Sequence, residues 1–138
     1  MSAVDTSSDA LAVARTNAQR LNLDVAFAHG SWLTGVSGHF DLIVSNPPYI
    51  AAADHHLDAL THEPLSALAS GADGLDDIRA IIGQARDHLL PGGWLLLEHG
   101  YDQAAAVRTL LTEAGFDQAQ SRRDIAGIAR CTGARNHY

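Results

Sequence analysis

The sequence predicts an α/β domain built on a mostly parallel sheet covered by helices. Three observations carry this. Strand-like and helical segments alternate along the chain, as a parallel sheet with crossover helices requires. Asp41-Leu-Ile-Val44 is a short apolar run with two β-branched residues, and Asn46-Pro47-Pro48 stops it abruptly, the pattern of a buried parallel strand opening into a rigid loop. Trp94-Leu-Leu-Leu97 is a continuous apolar run that follows a helical stripe and the breaker Pro91-Gly-Gly93.

Taken in order, Ala3-Val-Asp5 reads as the tail of a strand. Thr6-Ser-Ser-Asp9 suits a capping box, and Leu11, Ala14, Ala18 and Leu21 recur at helical spacing, which predicts a helix from about Ser8 to Asn22. Val25-Ala-Phe27-Ala28 is a second strand leading into Gly30-Ser-Trp32, and the Asp41 strand follows. The segment from Ala51 to Gly74 is irregular and carries His55, His56, His62 and Glu63; a loop of that length in a small domain usually has a function. Asp73-Gly-Leu-Asp-Asp77 puts carboxylates where a helix dipole favours them, and Leu75, Ile78, Ile82, Ala85 and Leu89 form the buried stripe of that helix. Gln103 to Ala114 is a helix with Ala104, Val107, Leu111 and Ala114 inward and Gly115 as its C-cap. Phe116 to Gln120 and Ile128 to Thr132 are the final strands, a candidate hairpin.

With 138 residues and 46% hydrophobic content, the chain is expected to form one domain that buries about two thirds of its unfolded surface. Apolar runs are too short to cross a bilayer, and Met1-Ser-Ala-Val-Asp5 has neither the basic start nor the apolar core of a signal peptide, so a cytoplasmic protein is expected. The single cysteine, Cys131, excludes an internal disulfide and reads as an inert thiol in a late strand. A formal charge of −7 argues against a broad phosphate-binding surface and makes nucleic acid an unlikely partner. The histidines lack regular ligand spacing and cysteine partners, so no metal is expected. Arg122-Arg123 reads as a solvated pair.

The chemistry concentrates after the Asp41 strand, because ligands in open α/β sheets sit at the carboxyl ends of strands. Pro47 and Pro48 fix φ and donate nothing, which leaves the Asn46 side chain and the carbonyls of Asn46 and Pro47 to accept from a group outside, with the Tyr49 ring beside them. Such a site suits a planar NH2 group.

Asn46-Pro47-Pro48-Tyr49 after a strand resembles the (Asn/Asp)-Pro-Pro-(Tyr/Phe) motif of S-adenosylmethionine-dependent amino-methyltransferases. With its flank from Phe40 to Ile50, Glu63-Pro-Leu-Ser-Ala-Leu68 and Gly92-Gly-Trp-Leu-Leu-Leu-Glu-His-Gly100, the chain resembles the HemK/PrmC family of release-factor glutamine methyltransferases over nearly its whole length. The resemblance implies a Rossmann-like class I methyltransferase fold whose last strand is antiparallel. It also implies that residues 1–138 are the later part of a catalytic domain, starting at the family's second strand. The family's N-terminal helical domain, first strand and acidic glycine-rich turn have no counterpart here: Gly71-Ala-Asp-Gly74 lies in a loop and Gly92-Gly93 precedes a strand. The absent strand would lie between the strands ending at Asp5 and Val44, so unpaired edges, self-association and impaired activity are expected.

The site residues follow from the same resemblance. Asp5 corresponds to the carboxylate that accepts from the cofactor ribose, with a share in the helix cap as the alternative. Trp32 corresponds to the aromatic beside the adenine, with core packing as the alternative. Asn46 would serve both cofactor and substrate; Asn46, Pro47 and Tyr49 would carry catalysis, and Pro48 and Glu63 would border the substrate, Glu63 being otherwise a solvated carboxylate. Glu98-His99 reads as structural or as part of the rim. The implied reaction moves a methyl group from S-adenosylmethionine to the glutamine amide nitrogen of a Gly-Gly-Gln segment in peptide chain release factors. The alternatives are a DNA or RNA amino-methyltransferase acting on a flipped base, and a non-catalytic remnant or interaction module.

Overall fold

The computed structural model describes residues 1–50 and 71–137. Among these the elements follow in the expected order: β1 (Ser2–Asp5), α1 (Ser8–Arg20), β2 (Ala26–His29), β3 (Phe40–Ser45), α2 (Asp76–His88), β4 (Leu89–Glu98), α3 (Ala104–Glu113), β5 (Asp117–Arg123) and β6 (Ala129–Arg135). They fall into two units, Met1–Gly38 and His39–Tyr138.

In the first unit β1 and β2 pair in parallel from Ser2↔Ala26 to Asp5↔His29. The cap of α1 differs from the expected Thr6–Asp9 box: Ser7 is the N-cap, and its hydroxyl accepts from Ala10 N at 3.1 Å. Asp5 supports that turn, its Oδ1 accepting from Ser7 N at 2.8 Å. Leu11 and Ala18 are buried as expected, but α1 ends at Arg20 and Leu21 stands outside it, 57% exposed.

The second unit is a four-stranded sheet in the order β3-β4-β6-β5. β3 and β4 are parallel; β6 runs antiparallel to both β4 and β5, and so joins the expected final hairpin to the middle of the sheet. Alternation along β4 and β6 turns Leu95, Leu97, Thr132 and Ala134 to one face, where all four are fully buried under α2 and α3. Ile78, Ile82 and Ala85 supply the α2 stripe as expected, with Ile81 beside them; Val107 and Leu111 supply that of α3. Gly115, at φ +92°, ends α3 in the left-handed conformation, and the Arg86 guanidinium donates to the neighbouring Ala114 carbonyl at 2.9 Å.

Two expectations need correction. Leu89 belongs to β4 instead of to the α2 stripe, and Pro91-Gly92-Gly93 forms an irregularity inside the strand instead of a separate helix stop. The register runs from Phe40↔Leu89 directly to Leu42↔Trp94. Asn136 holds the extra residues: its N–H donates to Gly93 O and its carbonyl accepts from Gly92 N, both at 2.7 Å. The second correction is that β3 is not buried on both sides. Leu42 is 51% and Val44 67% exposed, while Ile43 is half-buried. Within this unit α2 and α3 pack on the face of Leu95 and Leu97, and among the described residues β3 pairs only with β4.

The two faces should therefore respond differently to truncation. Leu95→Ala is expected to cost about 2–5 kcal/mol of unfolding free energy, as a cavity in a closed core does. Val44→Ala, on the open face, should cost under about 1 kcal/mol. Urea unfolding of the two variants checks this, and equal losses would contradict the one-sided burial.

Candidate active site

The β3–β4 register places Val44 opposite Leu96 and Ser45 opposite Leu97, so the carboxyl ends of the two strands lie side by side. β3 continues into Asn46-Pro47-Pro48-Tyr49 and β4 ends at Glu98. Asn46 is exposed, Pro47 is buried, and Pro48 and Tyr49 are half-buried. The Tyr49 hydroxyl donates to Glu98 Oε1 at 3.2 Å, which fixes the ring at the end of the neighbouring strand. Beside it lies a cavity of about 230 Å³ with Val44, Leu96 and Cys131 as its apolar lining and Ser45, Asn46, Glu98 and Arg130 as its polar one. Whole-ligand pockets run to roughly 300–1,000 Å³, so this one is on the scale of a side chain.

The electrostatics keep this corner in its donor state. Burial raises the Tyr49 phenol above its ordinary value, and the charge of Glu98 and the hydrogen bond to it raise it further; Arg130 acts weakly in the opposite sense. The phenol thus holds its proton at neutral pH. The stability gained from this bond is fully present below the ordinary tyrosine value and is lost as pH rises through the raised one. Burial, then Glu98, also raises the Cys131 thiol, so it is not a thiolate at neutral pH and offers no nucleophile.

His99 is fully buried, as a structural reading of Glu98-His99 requires. Its Nδ1 faces Gly100 O at 2.9 Å; a carbonyl only accepts, so Nδ1 carries the hydrogen. Nε2 meets Thr132 Oγ1 at 2.7 Å, Thr132 meets Ser121 Oγ at 2.7 Å, and Arg108 donates to Ser121 at 2.7 Å. This chain ties the end of β4 to β6, β5 and α3. Glu98, by contrast, belongs to the site itself.

Asp5 and Trp32 lie in the first unit. Asp5 ends β1, opposite His29 at the end of β2, and His29 Nε2 donates to the Thr6 carbonyl at 2.7 Å, tying the two strand ends together. The Asp5 side chain is exposed and accepts from Ser7 N, so its alternative role in the helix entry is real; a carboxylate has about four acceptor sites, and one bond does not exhaust them. Trp32 is half-buried at φ +53°, which is rare for a bulky residue and costs about 1–3 kcal/mol. Its turn is closed by Thr34 N donating to Ser31 O at 3.0 Å. Glu63, with His55, His56 and His62, falls outside the described residues.

Sequence reasoning missed three participants: Arg130, which borders the cavity; Gly74, whose φ is +77° and where a Cβ would come within 2.2 Å of the Tyr49 carbonyl oxygen; and Gln103, which donates to that same oxygen at 2.8 Å. The one local signal was Gln103 at the N-cap of α3, a position where Ser, Thr, Asp and Asn are preferred.

Residues 1–114 match the family model described as the methyltransferase small domain. A release factor glutamine methyltransferase from Pseudomonas aeruginosa is 51% identical over 138 residues, an alignment covering 96% of this chain and 49% of that protein. The chain spans about half the length of the curated relatives it matches. Among solved structures, a methyltransferase from Pyrococcus furiosus superposes with a TM-score of 0.74 at 21% identity, covering 99% of this chain and 61% of that one. A T. thermophilus 16S rRNA N2 G1207 methyltransferase, in complex with AdoMet and guanosine, gives 0.70 at 18% identity over 98% and 31%. These likenesses establish a Rossmann-like α/β fold. By the match over residues 1–114, the chain belongs to the methyltransferase small domain family.

Proposed function

We propose that the protein to which this chain belongs transfers a methyl group from S-adenosylmethionine to the side-chain amide nitrogen of the glutamine in the Gly-Gly-Gln segment of peptide chain release factors. The observation that carries this is the Asn46–Tyr49 loop, held at the carboxyl end of β3 with its ring fixed to Glu98, in a chain half identical to proteins bearing that name. The setting is the cytoplasm, where translation terminates; no helix among the described residues is long and apolar enough to cross a membrane.

An amide nitrogen is a weak nucleophile because its lone pair is delocalised into the carbonyl. Asn46 Oδ1 and the Pro47 carbonyl accept its two hydrogens, which aims the nitrogen and favours a localised lone pair. The Tyr49 ring holds the plane of the amide, and Pro48 keeps the loop rigid. When bound, S-adenosylmethionine would supply a sulfonium methyl to that nitrogen, with the S–C bonding pair left on sulfur and the proton of the methylated amide released to water. No strong base is needed at Asn46. Asp5 accepts from ribose hydroxyls and Trp32 lies against the adenine; an exposed carboxylate at a strand end and a tryptophan held in a left-handed conformation suit those roles. The exposed Leu42 and Val44, on a strand that among the described residues pairs on one side only, support self-association of the isolated chain.

Transfer of labelled methyl to a release factor, with an oligonucleotide in parallel, tests the proposal. Label is expected on the release factor alone, with Asn46→Ala lowering transfer about 100-fold or more; label on the oligonucleotide alone would assign the other amino-methyltransferase chemistry, and none on either would leave a remnant. Self-association predicts a light-scattering mass above that of one chain, which a monomeric mass would contradict.

A further inference from the structure

We infer that Gln103 is a positioning residue that clamps the Tyr49 carbonyl and thereby sets the Asn46–Tyr49 loop; its bearing on methyl transfer rests on the function proposed above.

Gln103 stands at the N-cap of α3 but makes no side-chain cap bond. Its side chain, 7% exposed with the residue, is committed elsewhere. Oε1 accepts from Gly100 N at 2.7 Å, while Nε2 donates to Tyr49 O at 2.8 Å and to Asp73 O at 3.3 Å. One amide thus joins the end of β4, the loop after β3 and the turn before α2. Its orientation is fixed by chemistry: the flipped amide would set Oε1 against two carbonyls and an NH2 against an N–H.

The surroundings are shaped to this contact. At Gly74 a Cβ would come within 2.2 Å of Tyr49 O and 2.8 Å of Gln103 Nε2, and at Gly100 within 3.1 Å of Gln103 Oε1. Asp73 is itself held, its Oδ1 accepting from Leu75 N at 3.0 Å and its carboxylate paired with Arg79 at 2.5 Å. The loop is anchored at Ser45 by the β3 ladder and at Tyr49 by Gln103 through the carbonyl and Glu98 through the hydroxyl. Between the anchors lie Asn46, Pro47 and Pro48, and two of those three have φ fixed by their rings. Few torsions remain, so the position of the Tyr49 carbonyl governs where Asn46 Oδ1 and Pro47 O point. Gln103 touches neither cavity nor reacting atoms in this scheme; it acts through the loop.

Gln103→Met keeps the length and removes both donation and acceptance. Tyrosine absorbance is titrated in the folded wild type and variant, with Tyr49→Phe identifying the Tyr49 component. The clamp predicts that the Tyr49 transition, raised in the wild type, falls in Gln103→Met. In methyl-transfer assays kcat should fall at least tenfold, with KM for S-adenosylmethionine changed less than threefold. A folded variant with the Tyr49 transition unmoved overturns the clamp, whether or not the wild type transfers methyl groups; a wild type that transfers none, with the transition moved, overturns the function and leaves the clamp standing. Should Gln103→Met fail to fold, NMR of the wild type decides: Gln103 side-chain amide protons exchanging at least tenfold more slowly than those of Gln118 support the clamp, and equal exchange overturns it.

Discussion

The parallel ladder between β3 and β4 is the interaction on which the rest of this unit depends. Pairing Ser45 with Leu97 brings the loop after β3 level with Glu98, and a slip of one residue would turn Asn46 and Glu98 to opposite faces. Register is in turn secured by the buried side of the sheet, where Leu95 and Leu97 enter the core under two helices, an arrangement no slipped pairing could keep. The hydrophobic core and the candidate site are thus set by the same alternation: one side chain of each pair inward for stability, the next outward for chemistry.

Polar groups finish what the ladder begins. The hydrogen-bond chain from Arg108 through Ser121 and Thr132 to His99 holds the end of β4 to the antiparallel strands, and Gln103 and Glu98 hold Tyr49 at both of its polar ends. The buried members, His99, Thr132 and Gln103, would each cost about 1–3 kcal/mol if left unpaired, so the network tolerates few alternative arrangements. A rigid loop suits the proposed chemistry, in which the chain aims a weak nucleophile and supplies no strong base.

Element order, the family and the Asn46–Tyr49 loop were legible because they rest on local signals: apolar periodicity, two adjacent prolines, and glycines at turns. The cap of α1 was displaced by one residue because Thr6, Ser7 and Ser8 are all competent caps, and the choice depends on how Asp5 orders the turn. Leu89 lies at the helical spacing of the α2 stripe yet enters β4, because pairing with Phe40 and the hold of Asn136 on the irregularity decide its place. The exposure of Leu42 and Val44 could not be read from composition, since an apolar run looks the same whether one of its faces is covered or both. Gln103 was invisible for a different reason: its partners Tyr49, Asp73 and Gly100 are brought to it only by the assembled sheet.

The proposed function requires that Asn46, at the carboxyl end of β3, belong to a site for S-adenosylmethionine. Calorimetric titration of the purified, folded chain with that ligand, beside Asn46→Ala, tests it most directly. Saturable binding in the micromolar range, abolished by the substitution, is expected. Absence of binding up to millimolar ligand, or binding that Asn46→Ala leaves intact, would contradict it.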